Sequence, residues 1–319
     1  GEITNVGNEA ITLDDTSLAV ATLNTLNGNT TGAVNAATIN TLTGGAAAMN
    51  TAYTAGGNGE ISNLGNEAIT LDDTSLAAGI LTSLNGNTTG VINAASINTL
   101  TGGAAAMNTA YTAGGNGEIT GLANEAITLD DTSLAVATLN TLNGNTTGVV
   151  NAATINTLTG GAAAMNTAYT AGGNGEITNL GNEAITLDDT TLAATVLNTL
   201  DGNTTGVVNA ATVTVLTGAA GDVITSYTAD GNGTISGLGN EALTLSGNTS
   251  VANANTLAAE TSGVITATIT EGDVTTLKTL TETTNAYTIT ITDGSVAVAD
   301  LNTINAATTV AVTATAINT

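Results

Sequence analysis

Apolar and polar residues alternate along the chain in a short motif that returns in fixed phase. Ala68-Ile69-Thr70-Leu71 alternates and carries a β-branched pair, so it predicts a strand. Asp72-Asp73-Thr74 follows and offers capping side chains, with negative charge suited to a helix N-terminus. Leu76, Ala77, Ile80, Leu81 and Leu84 then share one face at helical spacing, and Gly86 reads as the left-handed stop. The same face recurs at Leu192, Ala193, Val196, Leu197 and Leu200.

The block GEITNVGNEAITLDDTSLA begins at Gly1, and close copies begin at Gly59, Gly117 and Gly175, 58 residues apart each time. This divides the chain into four repeats, 1–58, 59–116, 117–174 and 175–232, with degenerate repeats of the same pattern over 233–319. Loops on a globular domain drift in length, so strict phase implies that every unit makes the same contacts with its neighbours. Each repeat splits again, because residues 11–18 align with 40–47, and Asn27-Gly28-Asn29 aligns with Gly56-Gly57-Asn58. The expected fold is a repeat solenoid of α/β coils of about 29 residues, with short parallel strands and short helices. An all-β parallel β-helix is the alternative.

In the second half of each repeat a helix is expected over 46–55, with Ala47, Ala48, Ala52 and Ala55 inward. Met49 and Tyr53, four apart, form a column with Met107/Tyr111 and Met165/Tyr169 that reads as core packing. Beyond Ser246 the phase loosens. Strands are expected over 264–269 and 287–291, helices over 273–280 and 295–304, and about eleven coils in all.

Composition then narrows the chemistry. The 319 residues include no His, Cys, Pro, Trp or Phe, and 26 Asp plus Glu face one basic residue, Lys278, for a net charge of −25. Nucleophilic triads and zinc or iron–sulfur sites lack their residues. Without Arg there is no bidentate phosphate clamp, and the field repels nucleic acid. No apolar run approaches the ~20 residues of a membrane span. The absence of Cys fits an exported chain that never relied on disulfides.

LNTLNGNTTG, INTLTGGAAAMNTAYTAGG and GEITNLGNEAITLDDTTLAA resemble the tandem repeats of giant cell-surface proteins of marine cyanobacteria, a group that includes a swimming-associated surface protein. The segment 207–223 is nearest to that pattern, and the resemblance runs from Gly1 to about Asp230. It departs from the pattern at Ala48-Met49 and its equivalents, where the family has Asp-Val. The resemblance implies an extracellular, cell-surface role and carries over no catalytic residues.

Sixteen of the 26 acids fall in four columns that begin at Glu2, Glu9, Asp14 and Asp15. A ladder of Ca²⁺ sites would draw on Glu9, Asp14, Asp15, Glu67, Asp72, Asp73, Glu125, Asp130, Asp131, Glu183, Asp188 and Asp189. Helix capping with a solvated acidic face is the competing reading. Asn29-Thr30-Thr31 and its copies at Asn87, Asn145 and Asn203 match a glycosylation sequon, and equally an Asn/Thr turn. Two carboxylates suffice for glycoside cleavage, but each acid here has near-identical copies, and an active site is unique. The sequence therefore points away from an enzyme. It points to a structural extracellular segment of a surface layer, fibre or stalk, with an adhesin-like module holding Ca²⁺ or glycan as the rival. The expected partner is the chain itself, end to end or laterally, with no nucleic acid and no membrane insertion. Both ends, at Gly1 and Thr319, stop in mid-pattern, which suggests continuation or stacking.

Overall fold

The computed structural model describes residues 7–318; the expectations for Gly1, Glu2 and Thr319 lie outside them. Short strands and short helices alternate throughout, and the strands pair in parallel. Among the described residues two compact units emerge, one of residues up to 155 with 171–179, the other of residues 156–170 with those from 180 onward.

The 59–116 repeat shows how a coil is made. Strands Ile61–Ser62, Ala68–Leu71 and Ser75–Ala77 precede helix Ala78–Asn87, and strands Ile92–Asn93 and Thr99–Gly102 precede helix Ala104–Gly115. In Ala68–Leu71 the side chains of Ile69 and Leu71 are buried and Thr70 is exposed, the expected period of two. Eleven helices occur among the described residues, matching the expected coil count and excluding the all-β alternative.

Several boundaries differ from the sequence reading. Ser75–Ala77 is strand rather than helix, because its backbone pairs with Thr99–Thr101 and buries Leu76 beside Leu100. The helix therefore starts at Ala78, and its buried face is Ala78, Leu81 and Leu84. Gly86 does not stop it; the helix runs on to Asn87, and Thr88 ends it in an extended conformation. Helix Ala46–Gly57 is longer than expected, and buries Ala46, Met49, Ala52, Tyr53 and Ala55, while Ala47 faces solvent. In the degenerate region the strands are Ile265–Ile269 and Ala286–Thr288 and the helices Val274–Leu277 and Val298–Ala306.

Pairing within the first unit is not between sequence copies. One sheet there holds, in order, Ser17–Ala19, Thr41–Gly44, Ala68–Leu71, Ile92–Asn93 and Ile119–Thr120. Ser17 pairs with Thr41 and Thr41 with Ala68, so the ladder climbs 51 residues while the sequence repeats every 58. The deficit of seven equals the spacing between Ile61, Ala68 and Ser75. Each ladder thus slides one strand position back per repeat and crosses the coils diagonally. The copy Ala126–Leu129 lies in the next sheet, between Thr99–Gly102 and Val150–Asn151. Neighbouring helices contact each other in sequence order from Val20–Asn29 to Val136–Asn145.

In the second unit the same rule gives a sheet holding Thr157–Gly160, Ala184–Leu187, Val208–Asn209 and Ile235–Ser236. Another holds Thr191–Ala193, Val215–Gly218, Ala242–Thr249, Ile265–Ile269 and Ala286–Thr288. The core in both units is thin and made of Ala, Leu, Ile and Val, with Met49, Met107 and Met165 wholly buried.

Candidate functional site

The acidic columns separate into distinct environments. Asp73 does not cap the helix that follows it. Its Oδ2 accepts the Ala46 N–H at 2.7 Å, 27 residues back, at the start of helix Ala46–Gly57, whose own N-cap Gly45 has no side chain to offer. Asp131 does the same for Ala104 and Asp189 for Ala162, each at 2.7 Å. The caps of helices Ala78–Asn87 and Val136–Asn145 are Ala77 and Ala135, without a side-chain bond. Capping was the right chemistry, but the helix belongs to the preceding coil. Where the phase loosens, Glu271 and Asp293 cap Val251 and Val274 in the same way, across coils.

Glu67, Glu125, Glu183 and Glu241 have no solvent exposure. Glu67 Oε2 accepts the Tyr53 phenol at 3.0 Å and the Gly65 N–H at 2.9 Å. Tyr111–Glu125, Tyr169–Glu183 and Tyr227–Glu241 repeat the pair at 2.9 Å. Burial, helped by the nearby carboxylate, holds these phenols well above the ordinary tyrosine range. Tyr287, whose hydroxyl accepts Asn285 Nδ2 rather than donating to a buried glutamate, is pushed up to about 12 by burial, with a smaller push from the Glu282 charge. The pairing was missed in the sequence, where Met and Tyr read as packing alone. The signal was present, since Tyr and Glu stay 14 residues apart in all four copies, the degenerate one included.

The NTTG motif closes the same junction. Thr88 Oγ1 donates to the Glu67 carbonyl at 2.9 Å and accepts the Gly90 N–H at 2.9 Å. A Cβ on Gly90 would overlap the Glu67 carbonyl, so only glycine fits. The Asn/Thr turn thus has a structural task that the sequon reading does not need. Asn87 donates to Asn50 Oδ1 at 3.0 Å, linking adjacent helices.

A third column, Glu60, Glu118 and Glu176, accepts Asn27, Asn85 and Asn143 Nδ2 at 3.0, 2.7 and 3.2 Å. In the fourth repeat both partners change together, to Asp201 and Thr234. A groove of about 490 Å³ beside Glu60 is lined by Asn27, Asn50, Thr51 and Asn58 among others. Its amides are already committed: Asn27 to Glu60, and Asn50 to the Ile80 carbonyl at 3.3 Å.

The residues named for Ca²⁺ are therefore not gathered at one point. Glu67 is committed to Tyr53 and Asp73 to Ala46, while Glu9, Asp14, Asp15 and Asp72 are exposed. Asp130 and Asp188 are likewise exposed, beside the capping Asp131 and Asp189. Among the described residues no three His, Cys, Asp or Glu side chains come close enough to hold a metal ion. Nor is any described helix long and apolar enough to cross a membrane. No family model, no curated protein and no solved structure matches the chain.

Proposed function

We propose that the chain is a segment of a structural solenoid, built of α/β coils, that forms part of an extracellular cell-surface layer, fibre or stalk. The observation that carries this reading is where the polar side chains go. Asp73, Tyr53, Glu67, Thr88 and Asn85 each bond to a part of the chain 14 to 33 residues away. Equivalent bonds recur in further repeats. Side chains spent on holding coil to coil are not available to bind or convert a ligand, and no acid pair is singled out for catalysis. The partner is the chain itself, stacked end to end or laterally. A net charge of −25 keeps nucleic acid away.

Imaging of the native material tests this. Immunogold labelling against this segment, viewed at low magnification, should decorate a continuous layer or fibres outside the cell. Label dispersed through the cell interior would overturn the proposal. Sparse label that follows added glycan or Ca²⁺ would favour the adhesin-like rival.

A further inference from the structure

Seven Asn-Gly pairs occur in the chain, and the fold sorts six of them into two classes. In this dipeptide the glycine leaves its backbone nitrogen unobstructed toward the asparagine side chain. Asn27, Asn85 and Asn143 lie inside helices, with Nδ2 held by Glu60, Glu118 and Glu176. Asn58 and Asn116 stand just past helix ends, at φ −80° and ψ −8°, followed by Gly59 and Gly117 at φ +81° and +80°. Gly175, after Asn174, has the same φ of +80°. Residues 57–60, 115–118 and 173–176 are all exposed, and nothing stands near a Cβ built on Gly59, Gly117 or Gly175.

We propose that Asn58, Asn116 and Asn174 are sites of spontaneous deamidation in the folded protein, and that the helical asparagines are protected. The Gly59 backbone nitrogen gives its proton to water and attacks Cγ of Asn58. A new N–C bond closes a succinimide as the Cγ–Nδ2 bond breaks, and Nδ2 takes up a proton and leaves as ammonia. Water then opens one of the two ring C–N bonds and leaves an aspartate or an isoaspartate. The net change is amide plus water to carboxylate plus ammonium, so water is the sole co-reactant.

The attack requires Asn58 to rotate away from its αR conformation. In the turn at Asn58 this breaks two exposed bonds, Gly59 N–H to the Gly56 carbonyl at 3.1 Å and the long Asn58 Nδ2–Glu60 Oε1 contact at 3.4 Å. At Asn116 it breaks the Gly117 N–H to Gly114 carbonyl bond at 3.0 Å. At Asn85 it requires unwinding the last helical turn and releasing the charge-assisted bond to Glu118. The product matters to the junction. Asn58 Nδ2 lies 3.4 Å from Glu60 Oε1, so an aspartate there sets two like charges side by side.

The intact protein is held at mildly alkaline pH for weeks, folded in one sample and in urea in another. Each is then denatured, cut after glutamate and read by tandem mass spectrometry. Fragment 68–118 contains both Asn85 and Asn116, so the comparison is internal. In the folded sample Asn116 should convert about ten-fold faster than Asn85, the factor expected for one charge-assisted bond. The difference should vanish in urea. Equal rates in the folded protein, a faster Asn85, or an Asn116 as inert as Asn85 would overturn the proposal.

Discussion

The phenol of Tyr53 donates to Oε2 of Glu67 at 3.0 Å, and that carboxylate has no contact with solvent. A buried acceptor that loses a donor is left with its desolvation penalty, about 1–3 kcal/mol. Tyr53→Phe should therefore destabilise the first unit by that amount in urea unfolding. Glu67→Gln, which keeps an acceptor for both Tyr53 and Gly65, should cost less. A Phe variant as stable as the parent would mean that the pair contributes nothing.

Asp73 separates local from inter-coil capping. Asp73→Ala should cost about 1 kcal/mol and speed amide exchange at the start of helix Ala46–Gly57. Helix Ala78–Asn87, which follows Asp73 directly in the chain, should exchange as before. Faster exchange at Ala78 with no change at Ala46 would return the aspartate to the local role that its sequence position suggests.

Two glycines four residues apart should respond with opposite signs. Gly86 is helical and has open space where a Cβ would stand, so Gly86→Ala should stabilise by about 0.5–1 kcal/mol. Gly90 lies against the Glu67 carbonyl, and Gly90→Ala should destabilise by about 1–3 kcal/mol. Thermal melts of the two variants check both.

The tyrosines set a limit at high pH. Tyr53, Tyr111, Tyr169 and Tyr227 are held above the ordinary range by burial, and Tyr287 is pushed up to about 12. A folded value raised above an unfolded value of about 10 means stability that is whole below pH ~10 and is lost as pH rises through the folded values. The ultraviolet phenolate band should appear near pH ~10 in urea and distinctly later in the native protein. Coincident titrations would contradict the buried placement.

Much of the fold was legible in the residues. Strand Ala68–Leu71 follows from its alternation, and the start of the helix at Ala46 from its alanine run. What misled was local ambiguity settled by distant partners. Leu76 and Ala77 fit a helical face, yet pairing with Leu100 and Thr101 draws them into a ladder. Gly86 was compatible with a stop, but nothing there requires positive φ, and the helix ends at Thr88, beside the clamp onto Glu67. The pairing of Asp73 with Ala46 was hidden because coils meet at a 27-residue offset, while the eye follows the 58-residue copies.

The central claim is that the repeated acids hold coils together rather than hold ions. Unfolding midpoints in EDTA and in millimolar Ca²⁺, at matched ionic strength, test it most directly. With Glu67 committed to Tyr53 and Asp73 to Ala46, the two curves should coincide. A saturable rise in midpoint with Ca²⁺, reversed by chelation, would contradict the account and make the acidic columns ligands.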